Sequence, residues 1–294
     1  MTQKNLSEIE KKVFEQHPCF GPCKKNKGRI HLPVAPGCNI ECAFCDRKIN
    51  EEEQRPGVTS AVLEPEEAAH YIELALRECP EITVVGIAGP GDTLATDRAL
   101  RTFRLIRERF PNLLRCMSTN GLLLDEKAEE VAELVDTLTV TVNAVNPDIQ
   151  AQINKRIVYH GEVITGTEAA KILIHNQLSG IRKVAKSGTI IKVNTVLIPG
   201  INDSHIEEIA ATVKAAGATM YNIIPLIPQN EMKNRRAPTC EELNTAREQA
   251  ELHINVFRHC QHCRADACGV PGVYDIGAKL YQGRLQAKET FSHG

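Results

Sequence analysis

Cys38, Cys42 and Cys45 stand in the run CNIECAFC. Three thiols are one short of the set that closes a structural zinc site, and disulfides take cysteines in pairs. The spacing reads as a metal or iron-sulfur site that keeps one coordination position open. The chain holds eleven cysteines in all. Cys19 and Cys23 precede the triad, Cys116 stands alone in LLRCMST, and Cys260, Cys263 and Cys268 crowd the run FRHCQHCRADACG. Cys260-x-x-Cys263 is a common iron-sulfur or zinc pair. Cys79, beside Pro80, and Cys240, just after Thr239, read as small thiols with no ligand role.

Ligands so far apart in sequence need a scaffold to bring them together. With 294 residues the chain is long enough for one large α/β domain. Charged residues make up 24% and the net charge is -2, so no basic field marks a nucleic-acid binder. The first residues are polar and charged and no apolar run approaches a membrane span, so a soluble cytoplasmic protein is expected. In that compartment thiols stay reduced, which favours metal or redox chemistry over disulfides.

Periodicity supplies the elements. IHLPVA at 30–35 is a short apolar strand leading into the triad; a helix at 64–79 then precedes the β-branched run 82–88. The unit recurs with helix 97–110, strand 113–118, helix 125–135, strand 137–142 and a helical stretch within 147–186. Strand 189–198, helix 204–216, strand 218–227 and helix 239–256 complete it. Six alternating units predict a parallel sheet, best closed as a partial (βα)6 barrel, with a doubly wound open sheet as the alternative. Residues 1–28 and 257–294 fall outside this rhythm and are expected to be cysteine-bearing extensions of a barrel spanning 29–256, folded as flaps over its mouth.

In either architecture ligands bind beyond the carboxyl ends of the strands. Those ends carry Cys38 to Cys45, then GPGD at 89–92, then Ser118 and Asn120, then Asn143, with Asn194 near the end of the fifth strand.

C-x3-C-x2-C with an aromatic residue, Phe44, before its third cysteine resembles the signature of radical S-adenosylmethionine (SAM) enzymes. That resemblance implies a 4Fe-4S cluster on Cys38, Cys42 and Cys45, its fourth iron free for SAM. GIAGPGD at 86–92 matches the family's Gly-rich element and nominates Gly89, Pro90 and Asp92, although the family's usual glutamate is absent. Ser118, Asn120, Asn143 and Asn194 match its contacts to ribose or carboxylate. HPCFGPC, IHLPVAPGCNIECAFCDRK, EQRPGV and CQHCRADACG further resemble the branch of that family that builds the core of the nitrogenase cofactor.

That branch implies two further 4Fe-4S clusters as substrates, fused into an eight-iron precursor around a carbide taken from SAM. One ligand set matches Cys19, His31 and Cys116, the other Cys23, Cys260 and Cys263. Cys268 departs from the pattern and has two readings, an additional ligand or a packing residue. The resemblance also implies cofactor scaffold or carrier proteins, an iron-sulfur donor and a ferredoxin-type reductant as partners, and a stand-alone form without a downstream carrier-like domain. A peptide maturase with retained auxiliary clusters and a non-catalytic iron-sulfur carrier are the competing readings.

Overall fold

The computed structural model describes residues 7–22 and 25–282. Six strands form its centre: β1 (Gly28–His31), β2 (Ile82–Ile87), β3 (Leu114–Thr119), β4 (Thr137–Thr141), β5 (Ile190–Leu197) and β6 (Met220–Pro225). Each pairs in parallel with the next, in chain order. A doubly wound sheet reverses its order at a switch point. Here the order never reverses, so crossovers of one hand put every helix on one face. Those helices are α1 (Ala68–Glu78), α2 (Arg98–Arg109), α3 (Leu124–Leu134), α4 (Gly166–Lys186), α5 (Ile206–Ala216) and α6 (Cys240–Glu251). The sheet is the partial barrel that the alternation predicts.

Strand alternation then sorts the residues. Ile30, Val85, Ile87, Met117, Leu138, Val140, Ile191, Val193 and Tyr221 pack with the helices in the main core. Their neighbours on the other face line a cavity of about 380 Å³, among them Arg29, Cys116, Thr139, Lys192 and Asn222.

One expectation is corrected and another filled in. β1 ends at His31 instead of running over 30–35, because Pro33 has no N–H for the ladder; further on, Ala35 bridges Pro90 in the loop after β2. The helical stretch expected within 147–186 is α4, and two elements that the periodicity did not show precede it. A short helix (Pro147–Ile153) is followed by a hairpin of Asn154–Tyr159 and Glu162–Thr165, and only then by α4. Its turn holds His160 and Gly161 at φ 52° and 81°, the left-handed pair that suits a two-residue hairpin. The hairpin's first strand pairs with Ile40–Cys42 inside the cysteine motif.

The terminal segments do not both cover the mouth. The N-terminal helix (Glu8–Gln16), with a Ser7 capping box, sends Val13 and Phe20 against Val84, Leu114 and Ile190 near the amino ends of three strands. It plugs the bottom of the barrel. At the other end, β7 (Asn255–Val256) extends the β6 edge, whereas β8 (Cys268–Val270) adds antiparallel to β1 and β9 (Tyr274–Asp275) antiparallel to β8. Residues 257–267 therefore cross from one sheet edge to the other, closing the open side.

A buried pair fixes that crossing. Arg264 donates from Nε to Asp266 (2.9 Å), from Nη1 to the Glu53 carbonyl (2.7 Å) and from Nη2 to the Asn50 carbonyl (2.7 Å). Asp266 also accepts from the Ser60 hydroxyl at 2.6 Å. Burial acts to raise the Asp266 carboxyl, but Arg264 and Ser60 outweigh it and hold it below the usual carboxylate range.

Replacing Asp266 with alanine strands the Arg264 charge and is expected to cost about 3 kcal/mol, read by anaerobic urea unfolding. A group with a depressed pKa stabilises fully above its unfolded value, about pH 4, and loses that contribution as pH falls. The gap between wild type and Asp266→Asn should thus narrow below about pH 4; a constant gap would contradict it.

A second expectation concerns Gly91, where an added Cβ would lie 1.9 Å from the Gly37 carbonyl oxygen. Gly91→Ala should push the GPGD loop off the Ala35–Gly37 segment, with a loss of about 1–3 kcal/mol and faster protease cleavage before Cys38.

Candidate functional site

The triad follows β1 through a loop that its neighbour pins. The Gly91 N–H donates to the Ala35 carbonyl (2.7 Å) and the Asp92 N–H to the Gly37 carbonyl (2.8 Å). Within the motif, the Cys45 N–H donates to the Cys42 carbonyl (3.0 Å), and the Ala43 N–H to the Ile153 carbonyl (2.9 Å) beside the hairpin. Cys38, Cys42, Phe44 and Cys45 all line the cavity. Asn154 Nδ2 donates to Cys42 Sγ at 3.3 Å, and Asn120 Nδ2 approaches Cys38 Sγ at 3.9 Å while donating to Asn39 Oδ1 at 2.7 Å. Such contacts to sulfur tune an iron-sulfur cluster.

Burial pushes all three thiols up, Cys38 to about 12 and Cys42 well above the ordinary range; the buried Arg47 opposes that rise at each. Neutral, desolvated thiols beside a fixed cation suit ligands that deprotonate only when metal arrives. Among the described residues no three histidine, cysteine or carboxylate groups converge as around one metal ion. A cluster is gripped at separate irons, so its ligands need not converge on one point.

The deeper wall carries Cys19, His31 and Cys116, which line the same cavity. Cys19 is pushed up to about 12 by burial, and Cys116 is raised for the same reason. His31 Nδ1 lies 3.1 Å from the Arg264 carbonyl. A carbonyl only accepts, so Nδ1 carries the proton and the Nε2 lone pair is left as the donor to metal, the arrangement that orients metal-binding histidines. Burial, aided by Arg29, lowers the His31 pKa to about 4, which keeps the ring neutral at pH 7. Gly86 makes room for it, because a Cβ there would stand 2.9 Å from His31 Cδ2.

Cys260 and Cys263 reach the cavity from the crossing segment. Cys263 Sγ accepts from Arg29 Nη2 at 3.2 Å; the same guanidinium donates to the Gly269 carbonyl (2.9 Å) and to Asp275 (3.1 Å). Cys23, assigned with them, lies outside the described residues.

Other expected contacts divide. Pro90, Ser118, Asn120 and Asn194 line the cavity, and Asn194 Oδ1 accepts from Asn222 Nδ2 at 3.1 Å. Asp92 lines it too, but its carboxylate is engaged by the Thr119 hydroxyl (2.9 Å), the Asn120 N–H (2.6 Å) and the Leu94 N–H (3.0 Å). It braces two strand ends. Gly89, at φ 122°, is a hinge of that loop and not a lining residue. Asn143 is also not brought to the cavity: its Oδ1 accepts from the Val196 N–H (2.9 Å), tying β4's end to β5. Cys268 pairs with Ile30 across the ladder and so shares its outward face, buried in the main core. Of its two readings, packing is the one its position supports.

The polar lining residues that sequence reasoning missed include His17, Arg29, Arg47 and Lys192. Lys192 had a visible signal, since it shares strand parity with Asn194 in IIKVNTV.

The chain matches the radical SAM superfamily over residues 32–213. By overall shape it is similar to a radical SAM methyltransferase from Sphaerobacter thermophilus, at TM-score 0.58 and 20% identity, covering 79% of this chain and 66% of that one. SuiB from Streptococcus suis aligns at TM-score 0.54 and 11% identity, over 78% and 47%. Those likenesses concern the fold. In sequence the chain is 50% identical over 262 residues to the FeMo cofactor biosynthesis protein NifB of Methanocaldococcus infernus, covering 88% of this chain and 86% of that one. The NifB of Chlorobaculum tepidum is 40% identical over 289 residues, covering 95% and 68%. With the family's fold, its cysteine motif in a strand-end loop and half of its residues shared with a NifB along most of both chains, this chain belongs to the NifB family of the radical SAM superfamily.

Proposed function

We propose that this protein acts in FeMo cofactor biosynthesis, fusing two 4Fe-4S substrate clusters and inserting a carbide derived from SAM. The observation that carries the reading is the convergence of cysteines from separate parts of the chain on one cavity. Cys38, Cys42 and Cys45 meet Cys19, His31 and Cys116 on one side and Cys260 and Cys263 on another.

In this reading Cys38, Cys42 and Cys45 hold a resident 4Fe-4S cluster. When bound, it supplies one electron for reductive cleavage of SAM. The chain's own residues do the rest. Pro90, Ser118, Asn120 and Asn194 line the space beside the triad and offer polar contacts to SAM, with Phe44 as an apolar wall. Cys19, His31 and Cys116 take one substrate cluster; Cys23, Cys260 and Cys263 take the other. A neutral imidazole donates more weakly than a thiolate, which leaves its iron easier to release when the clusters join. Phe20 and Phe257 close the inner end against water. Scaffold or carrier proteins would receive the product, an iron-sulfur donor would load the substrate sets and a ferredoxin-type protein would supply electrons.

Segments 1–28 and 257–294 are, on this proposal, ligand-bearing extensions of the 29–256 barrel. Among the described residues no helix is long and apolar enough to cross a membrane.

Replacing Cys38, Cys42 and Cys45 together with alanine should abolish 5′-deoxyadenosine and S-adenosylhomocysteine formation and lower bound iron by about four atoms per chain. Deoxyadenosine formation by that variant would refute the triad's role. Iron that leaves wild-type protein in an eight-iron product separates cluster fusion from a maturase that keeps its auxiliary clusters. For His31, pulsed electron paramagnetic resonance of reduced wild type should show a strongly coupled imidazole nitrogen, lost in His31→Ala along with the eight-iron product; a signal that persists removes His31 from the ligand set.

A further inference from the structure

The inner end of the cavity has an excess of donors that the ligand assignments leave unused. Lys192 is 6% exposed and projects inward from β5. Its Nζ donates to the Cys19 carbonyl at 3.2 Å. It also lies 4.4 Å from the Phe20 ring centroid and 5.1 Å from that of Phe257. No carboxylate among the described residues pairs with it. A buried ammonium held only by a carbonyl and two ring faces carries a desolvation cost that an anion nearby would offset.

Two more groups point the same way. The Cys19 N–H donates to His17 Nδ1 at 3.0 Å, so the His17 proton sits on Nε2, which is buried without a partner. Arg29 Nε is likewise buried and unpartnered. Both residues line the cavity beside Cys19. Two N–H donors with no acceptor, beside an ammonium that has only one carbonyl, describe a receptacle for something anionic and rich in acceptors.

We infer that Lys192, with His17 and Arg29, receives the sulfide-bearing face of the substrate cluster held by Cys19, His31 and Cys116, and that Lys192 is a positioning residue setting that cluster's charge balance. The inference rests on the proposed ligand set. The Lys192 ammonium fixes the Cys19 backbone from one side and places a positive charge beside the sulfides on the other. Positive charge and hydrogen bonds near the sulfurs stabilise the reduced cluster and raise its potential. A cluster docked this way is also held by its sulfides as well as its irons, which orients it before fusion.

The test is a redox titration of the reconstituted full chain, following the paramagnetic signal that carries the imidazole nitrogen coupling. Lys192→Met should shift the midpoint of that signal to lower potential and weaken retention of its iron against a chelator. Lys192→Arg should restore both, and Lys192→Gln, which donates without charge, should fall between. If Lys192→Met does not accumulate as folded protein, the Gln and Arg variants carry the same comparison. A midpoint and iron retention unchanged from wild type in the uncharged variants would overturn the inference while leaving the ligand set intact. Wild-type protein without any nitrogen-coupled cluster would overturn the ligand set, and the inference with it.

Discussion

Because β1 to β6 neighbour one another in chain order, every crossover covers the same face of the sheet, and no crossover helix buries the opposite face. That constraint governs the rest of the molecule. A filled barrel packs branched apolar side chains on its inner face. Here the inner positions carry cysteine, threonine, asparagine, lysine and arginine around open space. The main apolar core lies on the outer face, and the inner face is apolar chiefly at its bottom, where Val84, Leu114 and Ile190 meet Val13 and Phe20, so the rest of the inner face is free to be chosen for chemistry.

An open barrel still has to be closed, and both closures bring cysteines to the cavity. The N-terminal segment seals the amino ends of the strands with Val13 and Phe20 and delivers Cys19 from below. The crossing segment between β7 and β8 closes the side, clamped by Arg264 and Asp266, and delivers Cys260 and Cys263. The Arg264 carbonyl also sets the His31 tautomer, so a structural clamp and a candidate ligand share one residue. Packing and ligand placement are the same interactions viewed from two sides.

On the proposed function, the electrostatics suit a state that includes bound clusters. Cys19, Cys38, Cys42 and Cys116 are thiols raised by burial, while Arg29, Arg47 and Lys192 supply positive charge among them. On the proposed ligand assignment, cluster binding would take protons from the thiols, which would couple loading to the order of both closures.

The residues alone determined the alternating architecture, since helices and buried strands differ in period and six units alternate without a break. They also determined the triad and its family, because ligand spacing within one loop is a local property. What they left open depended on register and winding. Whether the sheet reverses its order is settled by which strands pair, and no local pattern reports that. Strand parity, once register was fixed, sent Cys268 into the core with Ile30 and Asn143 onto the β5 backbone, and turned Lys192 inward. The hairpin after residue 153 was hidden because its two short strands alternate much as an amphipathic helix does over a few residues. The N-terminal segment looked like a lid because its cysteines suggested the mouth; only tertiary packing of Phe20 against the starts of three strands put it at the bottom, where an apolar plug excludes water from one end and leaves the other open.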